Sequence, residues 1–66
     1  MEVKVRHPYR KDLRAKGPIV LMELLRNLEI DHRDVIVLRN GITVNNPHDL
    51  LIDDDIIEIY PVISGG

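Results

Sequence analysis

The ten residues VIVLRNGITV, 35 to 44, constrain the fold more than any other stretch. Val35 to Leu38 is an unbroken apolar run, Asn40-Gly41 is the preferred pair for a two-residue hairpin turn, and Ile42 to Val44 resumes the pattern. The stretch predicts two antiparallel strands joined tightly. An isolated hairpin is marginal in water, so the rest of the chain must cover it. Because Val35–Leu38 is apolar on both faces, that strand is either central in its sheet or faces a partner.

The flanking segments supply the cover. EVKVRH alternates, with Met1, Val3, Val5 and His7 on one face and Glu2, Lys4 and Arg6 on the other. Pro8 breaks the pattern as a turn would, and DLRAK alternates again with Leu13 and Ala15 inward. Pro18 suits a helix's first turn, where its missing N–H needs no partner. From there Leu21, Leu24, Leu25 and Leu28 recur at helical spacing, with Glu23, Arg26, Asn27 and Glu29 opposite, predicting one amphipathic helix of about three turns. NNPHDLLIDDD reads as an irregular connection in which Leu50, Leu51 and Ile52 tuck under the sheet. IIEIYPV is the last strand, with Ile57 and Ile59 toward the helix and Ile56, Glu58, Tyr60 and Val62 on the open face. The expected architecture is α+β: one main helix packed on one face of a mixed four- to five-stranded sheet. The other face, carrying Ile, Tyr and Val, is an exposed apolar patch of the kind that marks interaction sites.

Length limits what such a fold can do. A chain of 66 residues is one small domain. It buries only about 60% of its unfolded surface, so a deep internal active site is not expected. No cysteine is present, which excludes disulfides, thiolate nucleophiles and Cys-ligated metal. No apolar run approaches the roughly 18 residues of a membrane helix, and MEVKVRHPYRK does not read as a signal peptide, so a cytoplasmic protein is expected. The net charge of −2 is unevenly placed. Residues 1–17 set Lys4, Arg6, Arg10, Lys11, Arg14 and Lys16 against Glu2 and Asp12, whereas residues 45–66 hold five acids and no Lys or Arg. Two ordinary solvated faces would look the same, but such asymmetry can also orient a partner.

Most candidate chemistry dissolves on inspection. His7, His32 and His48 lack the spacing of a zinc site, which needs three or four convergent ligands, so no metal is expected. Asp53-Asp54-Asp55 lacks the ligand pattern of a calcium loop and reads as a turn. There is no Gly-rich phosphate loop, and Thr43 and Ser64 have no acid–base partner nearby. The basic Lys4, Arg6, Arg14 and Lys16 could meet phosphates, but with two aromatics, Tyr9 and Tyr60, nucleic acid is not the expected partner. What remains is the end of the sequence, YPVISGG, where the last strand runs into Gly65-Gly66. Two glycines at an end are often only frayed chain.

Taken together, GPIVLMELLRNLEI, VIVLRNGITVNN and LIDDDIIEIYPVISGG make essentially the whole chain resemble the ubiquitin-like β-grasp sulfur carriers, ThiS and MoaD. The Gly-Gly ending is the specific part of the resemblance. One departure is the turn before the last strand, usually DGD in the family, where Asp54 replaces Gly and is expected to tolerate positive φ. The length is similar to ThiS, whereas the YPVISGG ending looks more like MoaD.

The resemblance implies a ubiquitin-like β-grasp domain over residues 1–62 and a flexible Gly-Gly tail over 63–66. It implies a protein co-substrate, not an enzyme, with no bound cofactor. A ubiquitin-activating-enzyme-like adenylating enzyme would use ATP to activate the Gly66 carboxyl, and sulfur would then give a thiocarboxylate. Thiazole synthase or the large subunit of molybdopterin synthase would spend that sulfur, in thiamine or molybdenum cofactor biosynthesis. Gly65, lacking a Cβ, would give clearance in a narrow channel. Ser64 and Ile63 would line the channel, and Val62, Pro61 and Tyr60 would dock on the partner's rim. Two other classes share the features: a ubiquitin-like modifier conjugated to lysines through the same glycine, and an RNA-binding β-grasp module with an incidental tail.

Overall fold

A computed structural model describes residues 1–63 of the chain. The central hairpin forms as its sequence requires. β4 (Val35–Arg39) and β5 (Ile42–Thr43) pair antiparallel, Leu38 opposite Thr43 and Arg39 opposite Ile42. Asn40 and Gly41 between them have φ of 52° and 83°. Both left-handed values identify the turn type that Asn-Gly favours.

Strands β1 (Glu2–Val5), β2 (Lys11–Arg14) and β7 (Ile56–Pro61) complete a five-stranded sheet in the order β2-β1-β7-β4-β5. β1 and β7 run parallel, and every other pair is antiparallel, so the sheet is mixed. β4 lies inside the sheet, which answers why Val35–Leu38 is apolar on both faces. Val35 and Val37 are buried against the helix, and Ile36 faces the opposite side, 38% exposed.

One helix, α1 (Leu21–Asn27), covers one face. Its Leu21, Leu24 and Leu25 join Met1, which stands just before β1, Val3 and Val5 of that strand, and Ile57 and Ile59 of the last in a single buried cluster. The expected alternation in these strands therefore holds, with His7 only half-buried at the end of its face. Helix and mixed sheet together are the ubiquitin-like β-grasp arrangement expected of the sequence. No helix among the described residues is long and apolar enough to cross a membrane.

The helix is shorter than its leucine spacing predicts, and both ends show why. Pro18 is not in it. Ile19–Val20 form β3, which pairs antiparallel with β6 (Leu50–Leu51), Ile19 opposite Leu51 and Val20 opposite Leu50. β-Branched residues favour that extended backbone over a helical turn. The first helical donors are then met from outside: Leu21 N–H donates to the Asp49 carbonyl (2.9 Å) and Met22 N–H to that of Pro47 (2.8 Å). At the other end, Glu29 takes a left-handed φ of 59°. Its N–H donates to Arg26 O (3.0 Å), and the Ile30 N–H donates to Leu25 O (2.9 Å). This is a complete Schellman stop, with buried Ile30 as its hydrophobic contact and glutamate where glycine is usual.

The 50–55 segment also departs from expectation. Leu51 is fully buried, but Leu50 and Ile52 are 52% and 46% exposed, because the β3–β6 pairing turns only one of the three residues inward. The acidic turn does not place Asp54 at positive φ, which among non-glycine residues described occurs only at Glu29 and Asn40. The turn closes instead with Asp55 N–H donating to Ile52 O (3.1 Å), a geometry that ordinary residues adopt.

Asp55 itself is more than a turn residue. Its carboxylate is buried and accepts from Asn40 Nδ2, the Ile52 N–H and Arg39 Nε, each at 2.9 Å. Burial pushes its pKa up, but the three donors outweigh burial and hold it below the ordinary carboxylate value. Asn40 returns the link, its Oδ1 accepting from the Ile56 N–H (2.8 Å). The hairpin turn, the acidic turn and the start of β7 are thereby locked together.

Candidate functional site: the exit of the last strand

β7 occupies the middle of the sheet, with β1 on one side and β4 on the other. Ile57 and Ile59 point into the core with no exposed surface, so the strand cannot slip without turning its buried isoleucines outward. β1 pairs with it only as far as Val5 opposite Ile59, and the Arg6 N–H then closes on Ile59 O (2.8 Å). Tyr60 and Pro61 therefore have a neighbour on the β4 side alone. A proline, which has no N–H to offer a ladder, is harmless there.

The last support comes from the segment before β4. Asp31 begins a short 3-10 turn over His32–Asp34, its Oδ1 accepting from the Arg33 N–H (2.9 Å). Arg33 also closes on Asp31 Oδ2 at 2.7 Å, and this pairing holds the Asp31 carboxyl far below the usual carboxylate range. The turn delivers the Asp34 carbonyl to the Val62 N–H at 3.2 Å. Past that bond Ile63 is 84% exposed. The chain thus leaves the sheet at Val62, on a firm base, into solvent.

The open face beside this exit carries the patch that the alternation predicts. Ile56, Tyr60 and Val62 are exposed by 42%, 36% and 46%. Ile36, directly across from Tyr60, extends the patch, as does half-buried Leu38 opposite Glu58. The two-sided apolar run of β4 thus has a double cause: the strand is interior to the sheet, and its outer face joins the exposed patch. Tyr60 Oη donates to Glu58 Oε2 at 2.6 Å. Removing the phenolic proton beside that carboxylate would put two anions together, so the Tyr60 pKa is raised. Charge borders the patch: Lys4 stands opposite Glu58, and Arg6 grips Asp12 at 2.7 Å.

Of the residues expected to form the site, Tyr60, Pro61, Val62 and Ile63 are thus brought to one exposed exit. Ser64, Gly65 and Gly66 lie outside the described residues, as does most of the expected 63–66 tail. The Asp34 carbonyl that anchors Val62 is a main-chain contribution, for which side-chain patterns carry no signal. A cavity of about 230 Å³ lies elsewhere, between α1 and β4, lined by Leu21, Leu25, Val35, His32 and Asn45 among others. None of Tyr60, Pro61, Val62 and Ile63 lines it, and Ile36 is the one residue it shares with the patch. Among the described residues, no three His, Asp or Glu side chains gather closely enough to hold a metal ion.

The sequence model of the ThiS family matches residues 4–66. Sulfur carrier protein TtuB of Thermus thermophilus is 33% identical over 66 residues, covering the whole of both chains.

Proposed function

This chain belongs to the ThiS family of sulfur carrier proteins, and from that premise we propose that it carries sulfur on the carboxyl of Gly66. A carboxylate is a poor electrophile. In the proposed cycle an adenylating partner enzyme binds ATP, and a Gly66 carboxylate oxygen attacks its α-phosphorus, releasing pyrophosphate. A sulfide-level nucleophile then attacks the acyl carbon, and AMP leaves with the bridging oxygen. The product is a thiocarboxylate, whose sulfur a second enzyme consumes.

The carrier's own part in this is delivery. The exit geometry is the observation that supports the reading. The sheet holds the chain firmly up to the Val62 N–H, and the next residue, Ile63, stands clear of the fold rather than packing back on it. Three residues follow Ile63, the last of them bearing the reacting carboxyl. That is a reach of roughly 10 Å in extended chain, enough to enter an active site while the patch rests on its rim. Glycine at 65 and 66 leaves no side chain to crowd the acyl phosphate or the incoming sulfur. Ser64 and Ile63 line the entry, and Tyr60, Pro61 and Val62 dock on the partner.

The sulfur acceptor is proposed only as a class: a thiazole or pterin precursor, handled by thiazole synthase or the molybdopterin synthase large subunit, or another sulfur-accepting metabolite. Intact-mass spectrometry tests the core of the proposal. Incubation with the cognate adenylating enzyme, ATP and a sulfide donor should replace one oxygen by sulfur, and fragmentation should place the change at Gly66. Adenylate formation with no subsequent sulfur uptake, accompanied by the chain's own C-terminal peptide joined through Gly66 to lysines of other proteins, would identify a protein modifier instead.

A further inference from the structure

The sheet has two outer strands, and they differ. β5 has two residues and follows a tight turn, which is too short to template another strand. β2 has four. Its pairing with β1 decides which of its backbone groups are free. Met1 and Ala15 exchange two bonds, the amino terminus donating to Ala15 O (2.6 Å) and Ala15 N–H to Met1 O (2.9 Å). Antiparallel levels alternate between bonded and non-bonded pairs. The bonded levels are therefore Val3–Leu13 and Val5–Lys11, and the non-bonded ones Glu2–Arg14 and Lys4–Asp12. The N–H and C=O of Asp12 and Arg14 point away from the sheet into solvent.

The side chains along this edge are mostly basic, with Glu2 of β1 facing Arg14 across the pair. Arg10, Lys11, Arg14 and Lys16 are all exposed, and none enters an ion pair among the described residues. Asp12, the one acid between them, is held by Arg6 at 2.7 Å. Such an edge repels a second copy of itself, which protects against edge-to-edge aggregation. By the same electrostatics it attracts an acidic strand.

We propose that the outer edge of β2 takes up an acidic, extended segment of a partner protein as an additional strand, antiparallel or parallel to Lys11–Arg14. Main-chain bonds to Asp12 and Arg14 supply the register, and Arg10, Lys11, Arg14 and Lys16 select for Asp and Glu in the incoming segment. RNA suits the edge less well. Single-strand recognition uses exposed aromatic platforms, and Tyr9, the aromatic nearest in sequence, has its hydroxyl bound to Leu28 O at 2.8 Å. The edge lies two strands away from β7, so this docking does not depend on the Gly66 chemistry proposed above.

The test is an amide NMR titration of the full chain with a synthetic peptide alternating Val with Asp and Glu. Two further probes accompany it: the same peptide with its central amides N-methylated, and an oligouridylate. The proposal expects saturable shifts largest at the Asp12 and Arg14 amides, weakened by added salt. The N-methylated peptide should bind about tenfold more weakly or worse, for the loss of one or two net hydrogen bonds. Asp12→Pro gives a second reading, because it raises the edge's positive charge while deleting an outward N–H; its affinity for the acidic peptide should fall. Equal binding of the methylated peptide, tighter binding by D12P, shifts centred on Tyr60 and Ile36, or an oligouridylate that outcompetes the peptide at β2 would each overturn it. The methylated peptide keeps the test decisive even where D12P fails to fold.

Discussion

Replacing Asp55 by Asn keeps the shape of the side chain and removes its charge, and the structure says what that costs. Asp55 accepts through one oxygen from Asn40 Nδ2 and through the other from the Ile52 N–H and Arg39 Nε. An asparagine at this position has a single acceptor oxygen. If it serves Ile52 and Arg39, its own amide group faces that of Asn40, donor against donor. Asn40 cannot flip to relieve the clash, because its Oδ1 is engaged by the Ile56 N–H at 2.8 Å. One buried donor pair left unmet, plus a weakened charge-assisted bond, should cost about 2 kcal/mol. A chain of 66 residues has about 3–10 kcal/mol in all. The loss should appear as a fall in melting temperature of about 8–16 °C by circular dichroism.

Asn40→Asp alone should be comparably harmful, since it sets a second carboxylate against the first. The double exchange, N40D with D55N, restores a donor facing an acceptor while the new carboxylate at position 40 still accepts from the Ile56 N–H. The double mutant should therefore be more stable than the sum of the singles predicts, by about 2 kcal/mol. Acid supplies an independent check. The folded-state pKa of Asp55 is lowered, so the unfolded chain binds its proton first as pH falls. The contribution is fully present above the unfolded value of about 4 and is lost as pH drops through the lower folded value. D55N should lack that component of the acid transition. Urea unfolding of the four proteins across this pH range measures both effects. A D55N protein within about 0.5 kcal/mol of the parent, or a cycle additive to that margin, would refute the account of this cluster.

Other substitutions probe other parts of the fold. Glu29→Gly should stabilise by about 0.5–1 kcal/mol, because glycine relieves the left-handed strain at the helix stop and gives back part of the gain as unfolded-chain entropy. A loss of stability in denaturant titration would contradict the Schellman assignment. Gly17→Ala should destabilise by about 1–3 kcal/mol. Its Cβ would lie 3.0 Å from Leu51 O and 3.1 Å from Ile52 Cα, backbone atoms that would have to shift by a few tenths of an ångström to admit it. Tyr60→Arg should raise the concentration of carrier needed for adenylation while leaving the melting temperature within a few degrees, since Tyr60 is exposed. Deleting Gly65 and Gly66 should abolish sulfur loading in the mass assay without lowering stability, as both lie past the last strand.

The parts of this protein legible in its sequence are those governed by local rules. Asn40-Gly41 sets its own turn, because only residues tolerant of positive φ close a two-residue hairpin of the right twist. Period-two alternation in Met1–Val5 and Ile56–Tyr60 separates the core face from the open one without knowledge of any neighbour. The open-face residues Ile56, Tyr60 and Val62 are readable for the same reason. The helix boundaries are not: Ile19 and Val20 become extended only because Leu50 and Leu51 arrive to pair with them, about 30 residues later in the chain. Asp55 reads as one acid in a run of three, and only its burial between Arg39, Asn40 and Ile52 distinguishes it from Asp53 and Asp54. The strand order likewise comes from assembly. No periodicity says that β7 lies between β1 and β4, yet that place sets Val62 at the end of the β4 pairing and leaves β2 with a free edge. Residue types specify which face is apolar and where the chain can turn. Which donors find which acceptors, and which strand is left unpaired, depends on long-range contacts that exist only once the chain has folded.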